Sequence, residues 1–103
     1  MGIDADISPE ERGRARTVSD ARGCFAKILA TASLDDTTCL HFIDHYGQTM
    51  FNALQLPVLL EELQSLALAS TDQQDRLHLE QLVALVGDAI DRGPGHFVRF
   101  DGD

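Results

Sequence analysis

The sequence predicts an α+β fold in which three helices pack on one face of a small, mostly antiparallel sheet. The chain has 103 residues, 44% hydrophobic and 24% charged, which suits one globular domain spanning residues 1–103. Apolar patterns of period two and period 3.6 follow one another in the order β(β)αββααβ. Two helices are consecutive in that order, so the helices cannot all cross over between parallel strands.

The N-terminal third predicts two strands and a helix. Ile3, Ala5 and Ile7 alternate with acids, which is the pattern of a half-buried strand over residues 2–7. Proline and glycine mark a turn over 9–13, and a returning strand is expected over 14–18. Ser19 and Asp20 are good N-caps for a first helix over about 21–31.

The middle of the chain predicts a β-hairpin. Residues 39–44 (CLHFID) are short and rich in apolar side chains, which favours a strand. A turn over 45–47 contains a glycine, and residues 48–52 (QTMFN) return. We therefore expect the strands over 39–44 and 48–52 to pair with each other.

The C-terminal half predicts an αα-hairpin and a last strand. Pro57 suits the first turn of a helix that extends to about Ala69. A third helix over about 72–92 begins after two capping-box spacings, Ser70/Gln73 and Thr71/Gln74. Its apolar stripe is Leu79, Leu82, Val83, Val86 and Ile90, broadened by Leu85 and Ala89. Gly93-Pro94-Gly95 ends it, and residues 96–101 (HFVRFD) form the last strand.

The net charge of −9 is distributed unevenly. Residues 1–27 carry five acids and five bases, whereas residues 28–103 carry twelve acids and three bases. No Lys or Arg occurs between Ile28 and Asp75, a stretch that holds seven acids. This balance argues against nucleic acid and anionic membrane as partners and favours an acidic face that steers a basic protein. No apolar run is long enough to cross a bilayer and no secretory h-region is present, so we expect a cytoplasmic protein.

One motif carries a resemblance. Residues 39–55 read CLHFIDHYGQTMFNALQ, and the chain begins with Met1-Gly2-Ile3 and ends with Phe100-Asp101-Gly102-Asp103. These features resemble an uncharacterised family of small bacterial proteins with the core C-L-x-F-I-D-x-Y-G-x-T-x-F-N-x-x-Q and a C-terminal F-x-G-D. The resemblance implies a bacterial single-domain protein and covers nearly the whole chain. One departure is Gln48, at the position written x between Gly and Thr in that core, where the resemblance implies an Asp.

The polar residues of this motif support two interpretations. A structural role is open to each: Asp44 in a turn, Gly47 at φ > 0, Thr49 in a strand, Asn52 as a cap and Gln55 bonded to loop backbone. The other interpretation is a binding surface, because loops on a rigid sheet often carry binding residues. The candidate surface consists of Asp44, His45, Tyr46, Gln48 and Asn52, with Tyr46, the only tyrosine, as an interface anchor.

Other chemistry is poorly supported by the sequence. His41, Asp44 and His45 could bind a metal, joined by His78, His96, Asp101 or Asp103, but no spacing matches a known metal motif. Cys24 and Cys39 form no CxxC, and two reduced thiols are favoured over one disulfide. The acid pairs Asp35-Asp36, Glu61-Glu62 and Asp101/Asp103 are expected to be solvated. Arg12, Arg14 and Arg16 are expected to neutralise the chain's own acids rather than bind an anion. We predict no catalytic residue, metal or cofactor.

Two functions follow from these observations. The first is a small non-catalytic protein that recognises a basic protein partner, for example an immunity-type inhibitor of a bacterial toxin. The alternative is a homo-oligomeric housekeeping or ligand-sensing domain that associates through the helix over 72–92. Leu77 and Leu85 beside its main stripe would make that helix wide enough to bury two faces.

Overall fold

The computed structural model describes residues 2–9 and 16–102, and it confirms the α+β class. Within these residues, four strands form one antiparallel sheet in the order β2-β1-β4-β3, with three helices on one of its faces. The strands are β1 (Ile3–Ser8), β2 (Thr17–Val18), β3 (Gln48–Phe51) and β4 (Phe97–Gly102). The helices are α1 (Cys24–Thr31), α2 (Leu56–Ala69) and α3 (Gln73–Asp91).

The sheet has one apolar and one polar face because its side chains alternate. Ile3, Ala5 and Ile7 of β1 and Val98 and Phe100 of β4 are buried against the helices. The opposite face carries two rows of residues across the strands, all of them polar except Met50. One row is Asp6, Arg99 and Met50, and the other is Asp4, Asp101 and Gln48. Arg99 binds Asp6 through two hydrogen bonds of 2.7 and 3.1 Å and lies 3.3 Å from Asp101.

The predicted strand over 39–44 is wrong. Leu40–Phe42 form a single 3-10 turn, and β3 pairs with β4 instead of with this segment. Leu40 and Ile43 are buried while His41 and Phe42 between them are exposed. That spacing of three is helical, and it is what the expectation of a strand overlooked.

The remaining boundaries move by a few residues. Helix α1 begins at Cys24 rather than near residue 21, with Gly23 as its N-cap at φ 69°. Helix α3 is capped by Asp72, whose Oδ1 accepts the Gln74 and Asp75 N–H groups, so neither predicted capping box is used. Strand β2 comprises Thr17–Val18. The rest of the predicted turn and strand falls on residues 10–15, including Arg12 and Arg14, which lie outside the described residues.

The αα-hairpin is confirmed, and α3 is its central element. It packs against α1, α2 and the sheet, and it buries Leu79, Leu82, Leu85, Val86 and Ala89. Leu85 therefore faces the core, whereas Leu77 and Ile90 are exposed. In the described part of the chain, no helix is long and apolar enough to cross a bilayer.

Candidate functional site

The candidate binding residues lie together around β3. Asp44, His45 and Tyr46 form the turn before the strand, Gln48 begins it and Asn52 directly follows it. The Tyr46 side chain is 75% exposed, and its ring lies 6.4 Å from the half-buried His45 ring. Asp44, Gln48 and Asn52 are also exposed. The structure thus places the five residues in one region, and their role in binding stays a prediction.

The turn before β3 is held by the motif's own side chains. Asp44 Oδ1 accepts the Tyr46 N–H at 2.8 Å, and Thr49 Oγ1 accepts the Asp44 N–H at 2.9 Å. Gly102 closes the turn from β4, where its N–H donates to the Gly47 carbonyl at 2.8 Å. A side chain at Gly102 would overlap the His45 carbonyl, so only glycine fits this approach. The structural interpretation of Asp44 and Thr49 is therefore confirmed, whereas the positive φ expected of Gly47 is wrong, because Gly47 does not adopt it.

The segment after β3 is fixed in the same way. Asn52 Oδ1 accepts the Leu54 and Gln55 N–H groups at 3.0 and 3.1 Å, and Gln55 Oε1 accepts the Asn52 N–H at 2.9 Å. This reciprocal pairing follows the capping-box pattern, and it lies in the turn directly before α2, whose N-cap residue is Gln55. Asp44, Thr49, Asn52 and Gln55 thus accept hydrogen bonds from backbone amides, which gives each of them a structural role.

The exposed apolar side chains of the same region form its second feature. Eight large hydrophobic residues of the described chain are exposed, and five of them lie between residues 42 and 58. We call these five the 42–58 surface: Phe42, Tyr46, Met50, Leu54 and Val58. From His45 to Leu60 the sequence contains no Asp, Glu, Lys or Arg, although 24% of the chain is charged. This charge-free stretch lies within the base-free stretch from Ile28 to Asp75, and a count of bases alone does not reveal it.

The acids of the base-free stretch do not converge on this surface. Glu62 accepts the N–H groups of Thr38, Cys39 and Leu40, so the expectation that it is solvated is wrong. Asp72 caps α3, and Asp75 pairs with Lys27 at 3.5 Å. Among the residues that the structure describes, Asp35, Asp36 and Glu61 have no hydrogen-bond or ion-pair partner. Only Asp44 falls within the candidate surface.

A second polar cluster lies between α1 and α3. The buried Asp20 carboxylate accepts the N–H groups of Ile3, Phe25 and Ala26 at 2.9–3.1 Å. His78 Nε2 lies 3.7 Å from Asp20 Oδ1, too far for a hydrogen bond, beside a cavity of about 320 Å³ that Cys24 also lines. Asp20 was predicted as a local cap, and the structure adds its bond to β1. The three bonds give it a structural role that joins β1 to α1.

The remaining candidates are dispersed. In the described ranges no three His, Cys, Asp or Glu side chains are grouped to hold a metal. His41 is exposed against Phe42, and His96 Nδ1 lies 3.1 Å from the Gly93 carbonyl. Both cysteines are free thiols. Burial, and secondarily Glu62, raise the pKa of the Cys39 thiol. Arg16 pairs with Asp88 at 3.2 Å, which fits the expected internal neutralisation.

Comparison of the chain with protein-family models, with curated proteins and with solved structures finds no match.

Proposed function

We propose that this protein is a non-catalytic protein-binding module whose contact region is the 42–58 surface. Five of the eight large hydrophobic side chains that are exposed in the described chain fall between residues 42 and 58, and this concentration in one segment supports the proposal. Interface cores are depleted in charged residues and enriched in Tyr, Phe and Met, which is the composition of this segment. Tyr46 and Phe42 are the natural anchors, since aromatic side chains dominate binding hot spots.

The charge of the protein favours a basic partner. The contact region itself is uncharged, but it is bordered by Asp44 in sequence, by Glu61 one turn beyond Val58 on α2, and by Asp101 beside Gln48. Acids at the rim, together with a net charge of −9, would speed association with a cationic protein. An immunity-type inhibitor that covers a basic toxin is one partner relationship of this kind.

Self-association through α3, the alternative expected from the sequence, has less support. Its outward side chains are mainly polar: Gln73, Gln74, Arg76, Glu80, Gln81 and Asp91. Leu85 faces the core, which leaves Leu77 and Ile90 as the large apolar residues of α3 that are exposed. Sedimentation of the wild type tests this alternative directly, because a stable dimer that Leu77→Ser dissociates would favour it.

The proposal is tested with a matched pair of leucine variants. Leu54 is 88% exposed inside the 42–58 surface, and Leu68 is 86% exposed near the far end of α2, roughly 20 Å away along the helix. Immobilised wild-type, Leu54→Ser and Leu68→Ser proteins are used to capture partners from a lysate of the source organism at low and high salt. We expect a partner that Leu54→Ser loses and Leu68→Ser retains, bound more weakly at high salt. Equal capture by all three proteins would contradict the proposal.

A further inference from the structure

Among the described residues, nothing pairs with the outer edge of β3, so this edge of the sheet is open. This strand pairs with β4 on one side only, because it is the last strand in the order β2-β1-β4-β3. Gly102 donates to Gly47, and these residues are directly opposite in the β3–β4 register. Since ladder bonds alternate along antiparallel strands, Thr49 and Phe51 also face β4. The N–H and C=O groups of Gln48 and Met50 therefore point away from the sheet.

Side chains close both ends of this edge. The outward N–H before Gln48 is that of Tyr46, which Asp44 Oδ1 binds at 2.8 Å. The outward N–H after Met50 is that of Asn52, which Gln55 Oε1 binds at 2.9 Å. Within the described chain, no hydrogen bond reaches the outward groups of Gln48 and Met50. Between these two closed ends, the backbone of Gln48 and Met50 offers two hydrogen-bond donors and two acceptors that are free to bind. We call these four groups the window.

Nothing in the sequence of β3 protects this window. Natural proteins usually guard exposed strand edges with charged side chains, prolines or very short strands. The opposite edge follows that rule, because β2 has two residues and lies next to Arg16. By contrast, β3 carries Gln48 and Met50 on its exposed side and lies in the charge-free stretch from His45 to Leu60.

We infer that an extended segment of a partner protein adds to β3 as a fifth strand and hydrogen-bonds to the backbone of Gln48 and Met50. Strand addition is an established mode of peptide recognition, in which main-chain bonds give affinity and alternate side chains give specificity. The inference rests on the proposed function, since it specifies how the partner binds at the same surface.

The two rows of the outer sheet face define the chemistry of this segment. The row Asp4, Asp101 and Gln48 carries two acids, of which Asp101 lies 3.3 Å from Arg99, and a side chain beside Gln48 would lie two strands, roughly 10 Å, from Asp101. A lysine or arginine can reach across that distance. The row Asp6, Arg99 and Met50 has its charges paired, so an apolar side chain suits the position beside Met50. The segment is therefore basic and apolar at alternate positions. The net charge of −9 disfavours a second copy of this chain as the occupant.

Two proline variants test the geometry of the edge. Met50→Pro removes an outward N–H, and proline is tolerated at edges where the N–H faces solvent. Thr17→Pro is the matched control, because the Thr17 N–H also points outward, from the β2 edge. A displayed library of random linear peptides is selected on wild-type protein, and the enriched peptide is synthesised. Amide hydrogen exchange and binding are then measured.

The inference predicts enrichment of peptides with a basic and an apolar residue at alternate positions. The bound peptide should slow exchange of the Gln48 and Met50 amides, and Met50→Pro should weaken binding about tenfold or more while Thr17→Pro does not. Should Met50→Pro fail to fold, Met50→Lys, which keeps the amide but adds a guarding charge, must give the same loss. Peptide binding that survives these variants overturns the inference, as does a wild-type dimer with both amides already protected.

The experiments distinguish failure of strand addition at β3 from failure of partner binding at the 42–58 surface. If Leu54→Ser abolishes capture of the lysate partner and Met50→Pro leaves it intact, the 42–58 surface binds without strand addition. If neither variant changes capture, the surface is not the binding site and both proposals are wrong.

Discussion

Asn52 and Gln55 satisfy each other's backbone amides at the point where β3 leads into α2. The Asn52 side chain accepts the Gln55 N–H at 3.1 Å, and the Gln55 side chain accepts the Asn52 N–H at 2.9 Å. Each side chain fixes the backbone of the other residue, and so each hydrogen bond helps to position the other one. The pair therefore fixes the start of α2 and also ends the open edge of β3.

The two substitutions should be non-additive because of this reciprocity. Asn52→Ala is expected to cost about 1 kcal/mol in the free energy of unfolding, as for loss of an N-cap. Gln55→Ala should cost about 0.5–1 kcal/mol, since the exposed amide can bond to water instead. Urea unfolding of both single variants and the double variant measures the coupling, with Gln64→Ala as an exposed control. A double variant whose cost equals the sum of the two would contradict the reciprocal arrangement.

Glu61 and Glu62 are adjacent acids with opposite expected effects. Glu62 holds the 3-10 turn by accepting three backbone N–H groups, whereas Glu61 has no partner in the described chain. Hydrogen bonds to a charged group contribute about 1.5–3 kcal/mol, so Glu62→Ala should lower the free energy of unfolding by at least about 2 kcal/mol. Glu61→Ala should change it by less than about 0.5 kcal/mol. Equal effects of the two substitutions in urea unfolding would refute this role.

Glu62 also shows which parts of the fold could be predicted from the sequence and which could not. The αα-hairpin and β4 could be predicted because their apolar periods, Pro57 and Gly93-Pro94-Gly95 act locally. The 3-10 turn was missed, because the Leu40 to Ile43 spacing is too short a pattern to outweigh a strand and the cap of the turn comes from Glu62, 22 residues beyond Leu40. The roles of Asp44 and Asn52 in their turns are likewise local and follow from the sequence. The open edge depends on the register between β3 and β4, which lie about 50 residues apart.

Asp20 should be the least replaceable carboxylate in the described chain. It is 2% exposed, and its two oxygens accept three backbone N–H groups from β1 and α1. Asp20→Asn replaces one acceptor oxygen with an NH₂ group, which would face backbone donors. We expect a loss of about 2–4 kcal/mol in the free energy of unfolding, because buried donors lose their acceptor. Asp35→Asn, at an exposed acid, is the control in chemical denaturation. A loss below that of a typical surface substitution would show that the carboxylate is dispensable.

Cys39 should react slowly with thiol reagents in the folded protein. Its thiol is buried and lies 3.7 Å from the Gln55 carbonyl, and burial followed by the charge of Glu62 raises its pKa. The thiolate is the reactive form, so both access and ionisation are reduced. Aromatic disulfide reagents should label Cys24→Ala protein, which retains Cys39, more slowly than Cys39→Ala protein, which retains the half-buried Cys24. The difference should vanish in denaturant. Fast labelling of native Cys39 would contradict its burial.

Asp88 should make stability depend on pH in the acid range. A hydrogen bond from Arg92, followed by weaker effects of Arg16, holds the Asp88 pKa below its usual 3.8, and burial opposes this only in part. A carboxyl with a lowered folded-state pKa contributes stability that is fully present above the unfolded-state pKa. That contribution is lost as the pH falls through the folded-state value.

Asp88→Asn should therefore destabilise the protein near neutral pH, and the difference from wild type should shrink below pH 3.8. Asp91→Asn, whose carboxylate has no ion-pair partner within the described residues, should stay near the wild-type stability at neutral pH. A wild-type-minus-Asp88→Asn difference that is constant from neutral pH into acid would mean that the Arg92 contact does not stabilise the fold.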